Sequence, residues 1–294
     1  MGCPAPGAGD AARLNTPVHP HTRFQRVRLA VEAYAPPPGW RSWLYEFLLF
    51  GFKQGWACLF GGLMLALLLG TRVFWPEHAP IARYDALTLA ALGIQIAMLA
   101  FRLETWSEAR VILAFHVVGT AMELFKTSVG SWAYPEPSLL RIGGVPLFSG
   151  FMYAAVGSYM ARVWRIFDFR FTSYPSRKAS RWLAVAIYVN FFTHHWLPDL
   201  RLLCFAVMAW LFARTRVYFR NWRQHRWMPL LLGWLLVALF IWFAENLSTF
   251  SHAWLYPSQR DGWTLVSPEK LGAWLLLMYI SFVLVEGLHQ REGQ

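Results

Sequence analysis

Charge is scarce in this sequence. Asp, Glu, Lys and Arg make up 15% of its 294 residues, against about 25% in ordinary soluble domains. With 56% of residues hydrophobic, there is too little polar surface to clothe a water-soluble fold of this length. Cysteine is scarce too. Cys3 lies in a polar tail and Cys58 and Cys204 in apolar blocks, which makes neither a disulfide framework nor a metal-ligand spacing. A compact His-Glu-x-x-His element is also missing, so no metal and no other cofactor is implied. Residues 1–40 are rich in Pro, Gly and Arg and have no apolar core, so a cleavable signal peptide is not expected. Pro6 stands where an N-myristoylation signal needs Ser or Thr.

What the chain does have is long apolar blocks. They fall near 47–70, 84–101, 109–126, 146–166, 180–197, 199–214, 229–249 and 268–288. Blocks that are apolar all round need lipid or protein on every side, and about 20 residues cross a bilayer as a helix. The expected fold is therefore an all-α, polytopic transmembrane bundle of about eight spans. A flexible cytoplasmic tail covers 1–45, the transmembrane domain 46–288 and a short tail 289–294. The fifth and sixth blocks are short, and residues 194–199 read either as a tight turn between two spans or as part of one re-entrant hairpin.

The net charge of +11 does not point to nucleic acid, because the basic residues sit in short loops between apolar blocks. Sorted by an eight-span topology, nineteen of the 27 Lys and Arg fall on one side and seven on the other, with Lys53 inside a span. Cytoplasmic loops carry the Lys/Arg excess. Both termini are thus expected in the cytoplasm, in a bacterial-type inner membrane with membrane lipids as partners. The basic, aromatic stretch 214–227 reads as a loop lying on anionic headgroups.

An internal match at an offset of 122 residues carries the most information. Glu123, Thr127, Trp132, Tyr134, Pro135, Pro146 and Gly150 recur without a gap as Glu245, Thr249, Trp254, Tyr256, Pro257, Pro268 and Gly272. The matched hairpins run the same way through the membrane, which makes a parallel repeat of two four-helix halves, 46–166 and 180–288. In each unit a helix ends near a carboxylate, a loop with Trp-x-Tyr-Pro follows, and Pro opens the returning helix.

Polar residues inside the spans cluster on faces. His116, Thr120, Glu123 and Thr127 share one face of the third span. Trp242, Glu245, Thr249 and His252 repeat the stripe in the seventh. Asn190 and His194 share a face of the fifth, with His195 and Asp199 at its turn. A carboxylate near the bilayer centre costs about 2.5–3.5 kcal/mol, so two at matched positions suggest one internal polar site. Asn190 and Asn246 are candidate ligand contacts, or helix–helix hydrogen bonds.

Three segments carry a family resemblance: Glu46-Phe-Leu-Leu-Phe-Gly-Phe-Lys-Gln54, Lys126-Thr-Ser-Val-Gly-Ser-Trp-Ala-Tyr-Pro135 and Trp254-Leu-Tyr-Pro-Ser-Gln259. Through them the chain resembles the YoaT-like family of bacterial integral membrane proteins, whose function is unknown. The stretch Glu123 … Gly130 … Tyr134 … Gly144-Val-Pro-Leu147 is similar, over about 40 residues, to the bacterial carotenoid hydratase family. That similarity implies roles for Glu123 and Tyr134 alone; the family's Thr-Gly pair reads Ser128-Val129-Gly130 here and its later Trp is Tyr153.

Three functions fit these residues. In a lipid- or isoprenoid-transforming enzyme, a desolvated Glu123 or Glu245 donates a proton. Trp132, Tyr134, Trp254 and Tyr256 cage the cation, and His116 or His194 orients water. In a proton-coupled carrier, the same acids and histidines couple flux. In an assembly factor, the loops are a docking surface.

Overall fold

The computed structural model describes residues 33, 34 and 36–292. Most of the amino-terminal tail, with Cys3, and the last two residues lie outside the described residues. The chain divides into two compact units, up to Leu48 and from Leu49 onward. In the first, Trp43 and Phe47 stack at 5.7 Å and Tyr34 meets Tyr45 edge-on at 5.3 Å.

Among the described residues the helices are α1 (Trp40–Ala57), α2 (Leu59–Phe74), α3 (Arg83–Ala100), α4 (Trp106–Ser128), α5 (Phe148–Phe167), α6 (Arg177–Thr193), α7 (Arg201–Phe212), α8 (Leu230–Phe250) and α9 (Glu269–Glu292). The all-α expectation holds in its main lines. Local chemistry fixes several ends. Thr105 and Glu108 form a capping box on α4: the Glu108 N–H donates to Thr105 Oγ1 at 3.2 Å, and the Thr105 N–H donates to Glu108 Oε2 at 2.8 Å. Ser176 Oγ accepts from the Ala179 N–H at the start of α6.

Among the described residues, three helices are long and apolar enough to cross a membrane: α4, α8 and the Glu269–Gly287 part of α9. The expected first span is not straight. α1 and α2 meet at a 70° bend beside Cys58 and pass the same test only as a pair; Gly55, Gly61 and Gly62 flank the break. The sixth block is shorter than expected. α7 has 12 residues, a rise of about 18 Å against a hydrocarbon core of about 30 Å. The carboxyl-terminal tail is shorter as well, because α9 continues through Glu292.

The helices bury only part of their apolar surface on one another. In α8 only 28% of the most apolar window is buried, and Leu235, Leu236, Phe240 and Phe243 are exposed. Exposed apolar faces of this extent call for lipid. The main core joins α5, α6, α7, α8 and α9. At its centre Trp234 meets Phe212 at 4.9 Å and both Tyr279 and Phe282 at 5.1 Å. A second cluster, Phe60, Met64, Ala91 and Met98, joins α2 and α3.

Two small sheets were not expected. β1 (Arg141–Ile142) and β2 (Val145–Pro146) form a hairpin through Gly143 and Gly144, both at positive φ, the geometry a two-residue turn needs. β3 (Arg170–Thr172), β4 (Arg216–Arg220) and β5 (His225–Pro229) pair antiparallel in that order. The stretch expected as a headgroup-lying loop is therefore a hairpin. Phe171, Val217, Phe219 and Met228 pack on the main core, while Arg170, Arg216 and Arg220 are exposed. Alternation along Arg216-Val-Tyr-Phe-Arg220 is the physical reason, since a period of two suits a half-buried strand.

A buried ion pair fixes the end of the bundle opposite the long loops. Arg162 is fully buried and lies 3.4 Å from Glu104, also buried. Glu104 accepts further from Ser158 Oγ and Gln95 Nε2, each at 2.6 Å. Arg162 donates to the backbone carbonyls of Trp56 and Leu103. Filling the remaining lone pairs is what makes a buried ion pair tolerable.

Candidate functional site: two caged carboxylates behind an apolar cleft

Glu123 lies in the last turns of α4 and is 5% exposed. Three side chains donate to it: Trp132 Nε1 at 2.7 Å and Tyr134 Oη at 2.6 Å to Oε2, and Tyr153 Oη at 2.8 Å to Oε1. Hydrogen bonds to a charged group contribute about 1.5–3 kcal/mol each. Three of them outweigh the insertion cost of about 2.5–3.5 kcal/mol. Glu245, in α8 and 3% exposed, accepts from Tyr256 Oη at 2.5 Å and from Trp274 Nε1 at 2.7 Å. Both donor sets suit a carboxylate, which accepts only. Burial, then the charge of Glu123, holds the Tyr134 hydroxyl well above the usual tyrosine range; burial and Glu245 do the same for Tyr256. Both phenols therefore remain donors.

The two Trp-x-Tyr-Pro loops meet. Ala133 and Leu255 exchange backbone hydrogen bonds at 3.0 and 2.9 Å in an isolated antiparallel bridge. Trp132 crosses to the other loop and meets Tyr256 edge-on at 6.0 Å. Lys270 caps this contact, 4.4 Å from the Tyr256 ring and 5.5 Å from Trp132. At the matched position of the other hairpin stands Phe148, which lies edge-on to Tyr134 at 6.1 Å.

The start of α3 staples both loops down. Arg83 pairs with Glu136 and donates to the Ser251 carbonyl at 2.8 Å. Tyr84 Oη donates to the carbonyls of His252 and Ala253. Asp85 accepts from the N–H groups of Leu139 and Leu140. Three consecutive residues thus satisfy backbone groups that irregular loops would otherwise leave unpaired.

Below the carboxylates lies a cleft of about 750 Å³ between α4, α5, α6, α8 and α9. Phe115, Gly119, Met122 and Met278 contribute apolar wall, and Tyr153 and Trp274 contribute the polar groups nearest the carboxylates. Each cage therefore shares one residue with the cleft wall, Tyr153 for Glu123 and Trp274 for Glu245. Rim residues Ala114, Val185 and Leu284 are exposed, so the cleft opens on an apolar surface. Gly119 makes the Tyr153 contact possible: a Cβ there would sit 2.4 Å from Tyr153 Cγ. The volume lies within the range of small-molecule sites.

The remaining sequence candidates fall elsewhere. His116 packs against Phe151 at 4.5 Å, with its Nδ1 buried and unpartnered. His194 joins His195 around Lys126, whose Nζ is 2.9 Å from His195 Nε2 and 3.5 Å from His194 Nε2. Burial, then the Lys126 ammonium, pushes the His195 imidazole below the usual histidine range, which suits accepting from Lys126. Trp254 packs with Leu68, Tyr84 and Phe148. Asn190 and Asn246 brace turns: Asn190 holds Asp199 and the Leu200 N–H, and Asn246 holds the Val266 N–H. Tyr153, Trp274, Lys270 and the Arg83–Asp85 staple were not singled out as site residues from the sequence. Among the described residues, no group of three His, Cys, Asp or Glu side chains is placed to hold a metal ion.

A family model described as Protein of unknown function (DUF817) matches residues 46–282. A protein of Bacillus subtilis (strain 168) named Uncharacterized protein YoaT is 43% identical over 246 residues, 83% of this chain and 92% of that protein. No solved structure matches.

Proposed function

The chain belongs to DUF817, a family of unknown function, and from its site we propose a membrane-embedded enzyme that moves protons on a bound lipid or isoprenoid. The observation that carries this reading is the cleft wall: Tyr153 and Trp274 both line the cleft, and each donates to a buried carboxylate. When Glu123 takes up a proton its hydrogen bond with Tyr153 reverses, and that proton passes to Tyr153 Oη as the Tyr153 proton passes to an alkene carbon of the ligand. The resulting cation loses a proton from the neighbouring carbon to the same relay in reverse. The double bond shifts and the protein is restored. Trp274 presents a π face whose N–H is bonded to Glu245, a negative surround for the developing cation. Trp132, Tyr134 and Tyr256 act one layer back, orienting the carboxylates.

The test is a comparison of lipid extracts. Host cells expressing wild type, Glu123→Gln, Tyr153→Phe or empty vector are analysed by mass spectrometry. The reading expects a product pool in wild type that falls at least tenfold in both variants. Four identical profiles sink it.

The same proposal sets the bundle in a bacterial inner membrane with eight passes, two parallel four-helix halves and both termini cytoplasmic. Support comes from the helices matching the apolar blocks one for one once α1 and α2 count as one broken pass. The loops of the two hairpins also pair at positions 122 apart, and the arginine-rich sheet lies at the other end of the bundle. A Ser131→Cys variant labelled by an impermeant maleimide on intact cells, and an Arg223→Cys variant labelled only after permeabilisation, is the expected pattern.

One observation favours a second reading, a proton-coupled carrier. Lys126, one turn beyond Glu123 on α4, meets His194 and His195, and Lys270 lies over the Tyr256 ring that donates to Glu245, so exchangeable groups flank both cages. A pH-driven flux in liposomes that disappears with Glu245→Gln would select it over the enzyme.

A further inference from the structure

We propose that the ligand of the cleft is an anionic amphiphile, its headgroup on Arg181 and its apolar tail running to Tyr153 and Trp274. This rests on the reading that the cleft binds a lipid and adds the class of headgroup.

Among the described residues, Arg181 is the one charged residue in a cleft wall that is otherwise mostly apolar. It lies in the second turn of α6, at the end of the cleft remote from the carboxylates. Wall residues on α9 run from Trp274 to Gly287, a rise of about 20 Å. The cleft is thus polar at both ends and apolar between. One end offers the phenol and indole donors already engaged by Glu123 and Glu245. The other offers a guanidinium that is exposed and, among the described residues, has no carboxylate within ion-pair distance.

Glu286, beside the wall residue Gly287, is already engaged. Glu286 accepts from Tyr174 Oη at 2.9 Å and pairs with Arg177 at 3.7 Å. Arg181 is left with a planar fork of donors, which matches phosphate and carboxylate oxygens better than an ammonium does. A neutral ligand would leave that fork to water. A cationic head would meet like charge from Arg181, Arg177 and Lys178. An anionic head with a tail of about 20 Å fills both features together.

The full-length protein in non-ionic detergent is titrated with hexadecyl phosphate, hexadecanol and hexadecyltrimethylammonium, with binding read by native mass spectrometry. Hexadecyl phosphate is expected to bind at least tenfold more tightly than hexadecanol, and the cation more weakly than either. Arg181→Gln is expected to bring the phosphate down to the level of the alcohol while leaving the alcohol unchanged. Arg181→Lys is expected to retain part of the preference, and Lys178→Gln, outside the cleft wall, all of it. Thermal melting of each variant checks folding. Equal affinity for phosphate and alcohol, or a preference that survives Arg181→Gln, overturns the headgroup assignment and leaves a lipid-binding cleft standing. If none of the three binds, both this inference and the proposed lipid function fall.

Discussion

Ala133 and Leu255 stand opposite each other in an antiparallel bridge, each donating its N–H to the other's carbonyl. They are 122 residues apart, the offset that relates Glu123 to Glu245 and Tyr134 to Tyr256. A reciprocal pair of this kind has local two-fold character, and here it joins the two loops whose tyrosines grip the two carboxylates. The loops therefore brace one another, and through them the positions of both acids are coupled.

That bridge is directly testable by crosslinking. Residues exchanging both hydrogen bonds in an antiparallel pair have Cα atoms about 5.5 Å apart, within disulfide range. An Ala133→Cys/Leu255→Cys pair, in a background with Cys3, Cys58 and Cys204 changed to Ser, should oxidise readily in isolated membranes. After cleavage at a protease site inserted between residues 175 and 176, the halves should stay joined on a non-reducing gel. Separation under those conditions would exclude the bridge.

The cages should differ in cost. Glu123→Gln turns an amide N–H₂ towards groups that all donate, and each orphaned buried donor costs about 1–3 kcal/mol. Glu123 serves three donors and Glu245 two. Glu123→Gln should therefore lower the melting temperature in detergent more than Glu245→Gln does. The reverse order would contradict the cage description.

The Glu–Tyr spacing of eleven residues was legible in the sequence, because the repeat preserves it at both sites. The donors facing the cleft were not. Tyr153 lies 30 residues after Glu123, whereas Trp274 lies 29 after Glu245; the strictly matched positions hold Leu275 and Met152. The symmetry breaks where the two sites differ, so a search for identities passes over both. Lys270 escaped for the same reason, its counterpart being Phe148. Arg83 and Asp85 stand at the start of an apolar block, and their partners lie in loops 53 to 168 residues away, a distance no local pattern reports. The strand β4 carries a readable alternation, but its arginines fit a topology signal equally well. The 70° break at Cys58 is flanked by Gly55, Gly61 and Gly62, but glycines inside an apolar block do not by themselves say that the helix bends there.

Gly119 should be intolerant of a methyl group for a reason that can be relieved. A Cβ would approach Tyr153 to 2.4 Å, displacing the ring and with it the bond to Glu123. Overpacking of this kind costs about 1–3 kcal/mol. Gly119→Ala should lower thermal stability, and the same change in a Tyr153→Ala background should cost much less, because the clashing ring is gone. Additive costs would place the strain elsewhere.

Breaking the buried Arg162–Glu104 pair should be among the most damaging single changes. Removing one partner of a buried pair leaves an uncompensated charge and costs about 3–5 kcal/mol. Glu104→Ala should abolish recovery of folded protein from membranes, read by size-exclusion profiles of a fluorescent fusion. The isosteric double change Arg162→Met/Glu104→Gln, which removes the charges together, should recover a monodisperse peak. If Glu104→Ala behaves like wild type, the pair contributes nothing to the fold.

Stability should fall on mild acidification through His195 and His252. Burial, then Lys126 and His194, holds the His195 imidazole below its usual range, and burial with Arg72 and Arg83 does the same for His252. In the unfolded chain both titrate near the ordinary value of about 6.5. As pH drops through that value, the unfolded state takes up protons that the folded state still refuses, and folding loses free energy until the folded groups titrate in turn. The contribution is therefore complete above about pH 6.5 and declines below it. The melting temperature in detergent should be higher at pH 7.5 than at pH 5.5. His195→Gln should narrow that gap without closing it, because His252 acts in the same direction. His195→Gln combined with His252→Gln should narrow it further. A gap unchanged in the double variant would assign the acid sensitivity to other groups.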